Sequence, residues 1–267
     1  MWQRAGAIDP PSLWDARLQL HWAAQPAAGV GRRLLPKQAD YSQESFSWSC
    51  EHGALLQGVV SAPRPVRAGI QLRGLTLLIL DDCGVTVDSL PMNGRTLGDG
   101  FAFFEQLFGT AIARPPEGMP AHAVARGAAF NAIAAHLEEL ERYYAGASAV
   151  LANIAARESG AGPVRCWPHH LDMASLIALG GSGEDARTIG VGMAPGDASY
   201  GEPYYYVTPW PYPPPESLPL LDAGSWNTTG WVGAVLRAGD FLPASDQQSM
   251  IESFLAEAIG HCRSLIG

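Results

Sequence analysis

The residues best suited to chemistry in this sequence stand just before an apolar strand. The segment Trp167–Asp172 places two histidines and a carboxylate at the head of an apolar run that ends at Leu179. Side chains alternate across a strand, so His170 and Asp172 are predicted to share one face. Histidine and carboxylate groups are ligands for zinc and iron. Together with Glu202, which precedes a later strand, they form a candidate site for a divalent metal.

A meander of three strands would bring further polar groups to the same place. The strands are predicted at 166–179, 188–194 and 203–210, with turns rich in glycine and proline between them. Short connections favour antiparallel neighbours, so the first strand should start beside the end of the second and the start of the third. The side chains gathered at that end of the sheet are His170, Asp172, Asp197 and Glu202.

The third strand also carries a polar and aromatic face. Alternation places on that face Glu202, Tyr204, Tyr206, Thr208 and Trp210. Gly190, Gly192 and Ala194 share a face of the middle strand and would leave room for a group to approach its backbone. These features predict the wall of a small-molecule pocket. The residues assigned to ligand binding are Asp172, Asp197, Glu202, Tyr204, Tyr206 and Trp210.

Each interpretation has a structural alternative. Aromatic side chains serve packing more often than binding, so the tyrosines could fill a core against a long helix. His170 and Asp172 could form a hydrogen-bonded pair that closes the end of a sheet. His21 is the best outside candidate for a further metal ligand by residue type, although Trp14 and Trp22 could simply cover it on its helix.

Two hypotheses about function follow, from different classes. The leading one is a protein that binds a small molecule without chemistry, which requires only an apolar concavity with a few oriented polar groups. The other is a metal-assisted hydrolase or related enzyme that uses His170, Asp172 and Glu202, which also requires an open metal position. The sequence contains no hydrolase nucleophile elbow, dinucleotide fingerprint or P-loop.

Composition narrows the choice of partner. The 26 acidic and 17 basic residues give a formal charge of −9, which opposes binding to nucleic acid. No window approaches the roughly 18 apolar residues of a membrane span, so no membrane partner is expected. The N-terminus lacks the pattern of an export signal, which favours a cytoplasmic location. The four cysteines are scattered and predict neither a zinc ribbon nor a disulfide framework.

The elements that must position these residues can be predicted from periodicity and capping signals. A capping pattern at Ser12 and helical spacing predict a first helix over 12–26. Alternating residues indicate a meander of strands over 45–87, in which 70–80 forms one strand. The clearest helical period runs over 130–154 and predicts one long helix. A strand over 226–236 and a final helix over 245–265 complete the chain.

These elements predict an α+β fold, with a mainly antiparallel β-sheet, a long packed helix and helices near both termini. The chain of 267 residues can form a single domain over 1–267. A version with two lobes would have its boundary in the proline-bearing loop 111–120. The lobes would then be 1–114, with the N-terminal helix and β-meander, and 120–267, with the long helix, three-stranded meander and C-terminal helix.

Four stretches of the sequence resemble a bacterial family known as a domain of unknown function. They are Leu18–Trp22, Pro163–Ala174, Gly192–Tyr206 and the chain from Trp226 onward, which together cover most of the sequence in order. The third stretch joins a Pro-Gly pair to a Glu-Pro pair and tyrosines. The resemblance implies an architecture but no activity, substrate or cofactor. In that family a histidine pair does not regularly precede the aspartate, so Asp172 is the better anchor for a site.

Overall fold

The computed structural model describes residues 2–62 and 64–267. It confirms the α+β class, with antiparallel sheets and helices near both ends of the chain. The chain divides into two compact units that are interleaved along the sequence. The first unit comprises Ser12–Glu141 and Arg165–Leu171, so it contains the whole 111–120 loop. The second unit comprises the residues as far as Pro11, then Arg142–Val164 and Asp172–Gly267.

Two consecutive helices open the first unit, where one was predicted. Helix α1 (Trp14–Ala23) is followed almost at once by α2 (Gln25–Leu34). Pro26 lies in the first turn of α2, where the missing N–H would have had no partner in the helix. The prediction that the helical region ends at Pro26 is therefore wrong. The N-cap of α1 is Leu13 rather than Ser12, and its side chain makes no capping hydrogen bond.

The sheet of the first unit is built from short antiparallel strands. The strands are β1 (Ser47–Ser49), β2 (Ala54–Leu56), β3 (Val60–Ala62), β4 (Arg64–Gln71), β5 (Thr76–Asp81) and β6 (Thr86–Pro91). Their order is β1-β2-β4-β5-β6, and β3 pairs with β4. A turn ending at Leu75, whose φ is 45°, separates β4 from β5. The single strand predicted over 70–80 is thus two strands of a hairpin.

Two more helices follow this sheet. Helix α3 (Leu97–Phe108) starts at a capping box in which Thr96 N donates to Asp99 Oδ2 at 2.7 Å. Asp99 N donates in return to Thr96 Oγ1 at 3.3 Å, so both orphan amides are satisfied. Helix α4 (Ala134–Arg157) is the long helix that the sequence predicts, and it begins in the first unit and continues in the second.

The second segment of the first unit, Arg165–Leu171, begins with strand β7 (Arg165–Trp167). It ends in a tight turn over residues 168–171. Leu171 N donates to Trp167 O at 2.6 Å, and Leu171 itself is fully buried in the left-handed conformation with φ 58°. The continuous strand predicted over 166–179 is therefore wrong. Because the turn interrupts the alternation, His170 and Asp172 are not related as neighbours on one strand face.

Buried polar side chains hold this turn in place. The carbonyl of Pro168 accepts hydrogen bonds from His21 Nε2 at 2.9 Å and from Gln25 Nε2 at 2.8 Å. Both donors are buried, at 5% and 0% exposure. His21 must carry its proton on Nε2 to donate to a carbonyl, so this nitrogen stabilises the turn.

The second unit contains a five-stranded antiparallel sheet among its described residues. Its strands are β8 (Asp172–Gly180), β9 (Arg187–Ala194), β10 (Tyr204–Trp210), β11 (Ser225–Asn227) and β12 (Gly233–Arg237). Their order is β8-β9-β10-β12-β11, so the predicted three-stranded meander is present. The short helix α5 (Ala238–Phe241) and the final helix α6 (Gln247–Ile266) follow.

A hairpin replaces the single strand predicted over 226–236. Strands β11 and β12 pair with each other, and the turn between them is closed by Asn227. Its Nδ2 donates to the carbonyls of Trp231, at 2.6 Å, and Thr229, at 3.2 Å. The side chain of Asn227 thus pairs with two backbone carbonyls of the turn.

One face of this sheet forms the core of the second unit. Tyr205 and Val207 of β10 are fully buried, and the Tyr205 ring meets Phe241 edge-on at 5.7 Å. Helix α6 lies against β9, β10 and β12. The helices therefore cover the face that carries Tyr205, and the alternate face carries Tyr204 and Tyr206. Within residues 2–62 and 64–267, no helix combines the length and the apolar character that crossing a bilayer requires.

The burial of His21 should make the protein less stable in mild acid. Burial lowers the pKa of His21 to about 4 from its ordinary 6.5. As the pH falls below about 6.5, His21 takes up a proton in the unfolded chain but stays neutral in the folded chain. The contribution of neutral His21 to the free energy of unfolding is therefore complete above this pH and is lost as the pH falls. Urea unfolding should show that the titration of His21 lowers the free energy of unfolding by about 2 kcal/mol between pH 7 and pH 5.

Two variants separate this effect from other titrating groups. Replacing His21 by Gln keeps an N–H donor but removes the titration, so the loss of stability between the two pH values should shrink. His136→Gln, at a half-exposed position, should lose as much stability as the wild type. An unchanged loss in His21→Gln would show that His21 does not control the acid sensitivity.

Candidate functional site

A continuous row of tyrosines and carboxylates occupies the second unit on the sheet face that carries Tyr204 and Tyr206. We call this set the tyrosine face, and its members are Asp172, Asp197, Tyr200, Tyr204, Tyr206 and Trp231. The strand register explains how they meet. Tyr204 pairs with Ala194 and Tyr206 with Gly192, while Gly192 pairs on its other side with Ala174 of β8. Polar groups on β8 and β10 thus face each other across residues with little or no side chain.

Tyr206 crosses the middle strand to reach Asp172. Its hydroxyl donates to Asp172 Oδ2 at 2.5 Å, a short charge-assisted hydrogen bond. A Cβ atom on Gly192 would lie 2.6 Å from both Cζ and Oη of Tyr206. The space above Gly192 is therefore filled by the tyrosine ring, whereas the sequence suggested that it was open for another group. The glycine is required because the ring lies against the backbone.

A second pair of the same type lies at the end of β9. The hydroxyl of Tyr204 donates to Asp197 Oδ2 at 2.6 Å. Asp197 Oδ1 accepts from the backbone N–H groups of Ser199, at 2.7 Å, and Tyr200, at 2.9 Å, so the carboxylate also organises the turn. Burial and then the neighbouring Asp197 raise the pKa of Tyr204 far above its ordinary value. Tyr204 consequently stays protonated and acts as a hydrogen-bond donor.

Two aromatic residues that sequence analysis did not select extend the face. The ring of Tyr200 lies 4.8 Å from that of Tyr204, and its hydroxyl donates to Asn227 Oδ1 at 3.2 Å. Trp231 meets Tyr206 edge-on at 6.3 Å. Tyr200 could have been identified from its place between Asp197 and Tyr204. Trp231 could not, because the hairpin that presents it was interpreted as one strand.

Other predicted ligand-binding residues have different positions. Glu202 Oε2 accepts from Gly239 N, in the first turn of α5, at 2.7 Å. Trp210 lies six residues beyond Tyr204 on β10, which corresponds to about 20 Å of extended strand. It is half-exposed, and its ring contacts Tyr212 edge-on at 5.3 Å. The structure thus brings Asp172, Asp197, Tyr204 and Tyr206 together but places Trp210 at the far end of the strand.

The metal site stays a prediction. His170 belongs to the first unit, whereas Asp172 and Glu202 belong to the second. Each of these two carboxylates accepts a hydrogen bond within the second unit. In the part of the chain that the structure describes, one group of three side chains is close enough to share an ion; it lies at the end of β5 and in the turn after it, and its members are Asp81, Asp82 and Cys83.

Enlarging Gly192 should disturb the tyrosine face more than enlarging its neighbour. The new methyl group of Gly192→Ala would clash with the Tyr206 ring, so we expect a loss of about 1–3 kcal/mol in the free energy of unfolding. Gly190→Ala is the matched control, because its Cβ would meet only Thr208 within 3.4 Å, at 3.0 Å. Urea unfolding should show that Gly190→Ala costs about 1 kcal/mol or less. Equal losses in the two variants would contradict the packing described for Tyr206.

The tyrosine face offers oriented acceptors beside aromatic surface. Asp172 and Asp197 present carboxylate oxygens, and the neighbouring rings present apolar area with a polar tip. Such a combination can orient a molecule that donates hydrogen bonds. Comparisons of the chain with protein-family models, with curated proteins and with solved structures find no match.

Proposed function

We propose that the protein binds a small organic molecule at the tyrosine face. The observation that carries this proposal is the pair of short hydrogen bonds from Tyr206 to Asp172 and from Tyr204 to Asp197, at 2.5 and 2.6 Å. Both bonds lie on the sheet face opposite the one that packs on Phe241. The bonds hold two carboxylates in fixed positions beside the aromatic rings of this face.

The chemistry of the face suggests the class of ligand. The carboxylates are acceptors, so they favour a molecule with hydroxyl or ammonium groups. The rings of Tyr206 and Trp231 favour a planar or apolar portion next to those groups. Asp172, Tyr206 and Trp231 are each half-buried, so part of their surface remains accessible to a ligand.

Binding is better supported than acid–base catalysis. A catalytic acid or base works best when its pKa is near the working pH. The raised pKa of Tyr204 keeps this phenol neutral, so it is suited to orienting a partner rather than to moving a proton. Two of the three residues in the metal hypothesis already accept hydrogen bonds: Asp172 accepts from Tyr206, and Glu202 accepts from the backbone of α5. Metal-assisted hydrolysis is therefore the alternative that the experiment must separate.

The experiment is a thermal-shift screen of untagged protein against small amines and polyols, with native mass spectrometry of the purified protein to detect a copurified molecule. We expect at least one amine or polyol to raise the melting temperature of the wild type. Replacing Asp172 by Asn removes a charged acceptor, which should weaken binding about tenfold or more and reduce the shift. Tyr206→Phe should reduce it as well.

Tyr212→Phe is the matched control, because it makes the same chemical change at a half-exposed tyrosine of the second unit outside the tyrosine face. It should keep the full thermal shift. A shift of equal size in Asp172→Asn and the wild type would contradict binding at this face. Elemental analysis provides the remaining outcome: a stoichiometric metal that is lost in Asp172→Asn would favour the metal-assisted enzyme instead.

A further inference from the structure

The first unit contains a cavity of about 310 Å³. Three segments form its wall: residues 40–44 after α2, Pro116 in the loop after α3, and residues 167–169 at the end of β7 and in the turn after it. The side chains on the wall include Asp40, Tyr41, Glu44, Trp167, Pro168 and His169. Its volume is at the lower end of the range of roughly 300–1,000 Å³ for pockets that hold small organic molecules.

One residue on the wall of the cavity and one residue close in sequence to the wall have a strained backbone. Tyr41, on the wall, has φ 58°, and Leu171, which ends the turn that carries His169, also has φ 58° but does not line the cavity. A bulky residue in the left-handed region costs free energy and persists only where its surroundings enforce it. In residues 2–62 and 64–267, Leu75 is the one other non-glycine residue with a positive φ. Strained residues of this kind occur at ligand-binding sites.

A chain of hydrogen bonds, buried at its Pro168 end and partly buried at Arg32, links two of the three segments of the wall. Pro168 accepts from His21 and from Gln25, as described for the fold. Gln25 Oε1 accepts in turn from Arg32 at 3.4 Å, and Arg32 pairs with Glu44 at 3.2 Å. These bonds hold Glu44 and Pro168, which both line the cavity, in fixed positions. Preorganisation of this kind lowers the entropic cost of binding.

Asp40 gives the cavity its negative charge. The charge of Glu44 is balanced by its ion pair with Arg32. Asp40 accepts from the backbone N–H of Ser42 at 3.0 Å, and its hydrogen bonds with Ser42 hold the pKa of this carboxyl below its ordinary value. Arg165 adds a smaller effect in the same direction. Asp40 is therefore ionised throughout the physiological pH range.

A carboxylate beside aromatic rings is the combination by which proteins recognise organic cations. Tyr41 is 69% exposed, and the rings of Trp167 and His169 lie 6.3 Å apart on the same wall. We propose that this cavity binds a small organic cation, a substituted ammonium whose charge pairs with Asp40 and whose alkyl groups contact Tyr41 and Trp167. The site lies entirely in the first unit, so it is independent of ligand binding at the tyrosine face.

Calorimetric titration of the full chain with choline tests this proposal. The control ligand is the neutral isostere of choline, in which carbon replaces nitrogen. We expect choline to bind at least about tenfold more tightly than the isostere, and more weakly as salt is added, because its charge is attracted to Asp40. Benzylamine serves as a second organic cation in the same titration. The assignment would be overturned if neither cation gave binding heat up to tens of millimolar. It would also be overturned if choline and its isostere bound with equal affinity.

Variants locate the site. Asp40→Asn should weaken choline binding about three- to fivefold, because it removes the exposed charge that attracts the ammonium. Asp88→Asn, which removes an exposed carboxylate from β6 of the same unit, should leave the affinity unchanged. Equal affinities in these two variants would place the choline site elsewhere and overturn the proposal.

Tyr41→Gly separates a binding effect from a folding effect. Glycine adopts a positive φ without strain, so the melting temperature should remain close to that of the wild type. The loss of the ring should nevertheless weaken choline binding several-fold. Full affinity in Tyr41→Gly would show that the aromatic wall does not contribute and would contradict the proposed mode of recognition.

Discussion

A carboxylate that is partly removed from water destabilises a fold unless it accepts hydrogen bonds, and the tyrosine face of the second unit is organised by this requirement. Asp172 stands at the start of β8, and its partner Tyr206 comes from a strand two positions away in the sheet. The bond can form only because Gly192, between them, has no side chain. The register of β8, β9 and β10 therefore determines the hydrogen bond between Tyr206 and Asp172 as well as the packing of the hydrophobic core.

The first unit also contains a buried acceptor that must be hydrogen-bonded, but here the acceptor is in the backbone and the donors are side chains. There the buried acceptor is a backbone carbonyl, that of Pro168, and two side-chain donors converge on it from consecutive helices. His21 and Gln25 lie one turn apart on these helices, so α2 must follow α1 without a long loop for both to reach the carbonyl. Pro26 allows this geometry, because it lies in the first turn of α2 and does not end the helical region.

Sequence patterns predicted the elements that rely on a regular period. The long helix and the meander of β8, β9 and β10 were recognised because their apolar residues repeat every three or four positions, or every second position, over long stretches. Failures came where one residue changes the chain direction. Leu75 and Leu171 adopt a left-handed backbone that their side chains disfavour, and tertiary packing enforces that conformation without leaving a local signal.

The candidate site was predicted in part for the same reason. Asp172 was identifiable, since a carboxylate at the head of an apolar strand must have a partner. Its partner could not be named, because the pairing with Tyr206 depends on sheet register and on the ring position above Gly192. Asp197 and Tyr204 were selected by type and position, whereas Trp231 depended on a hairpin turn hidden in an apolar run.

The closure of that hairpin by Asn227 has a consequence for producing the protein in other hosts. Asn227, Thr228 and Thr229 form the acceptor sequence for N-linked glycosylation. Oligosaccharide transfer would modify the Nδ2 atom that donates to Trp231 and Thr229, leaving it one hydrogen instead of two. A chain glycosylated during secretion by a eukaryotic cell would therefore lose one of the bonds that close the turn. Expression without glycosylation, or with this sequon removed at Thr229, preserves the hairpin.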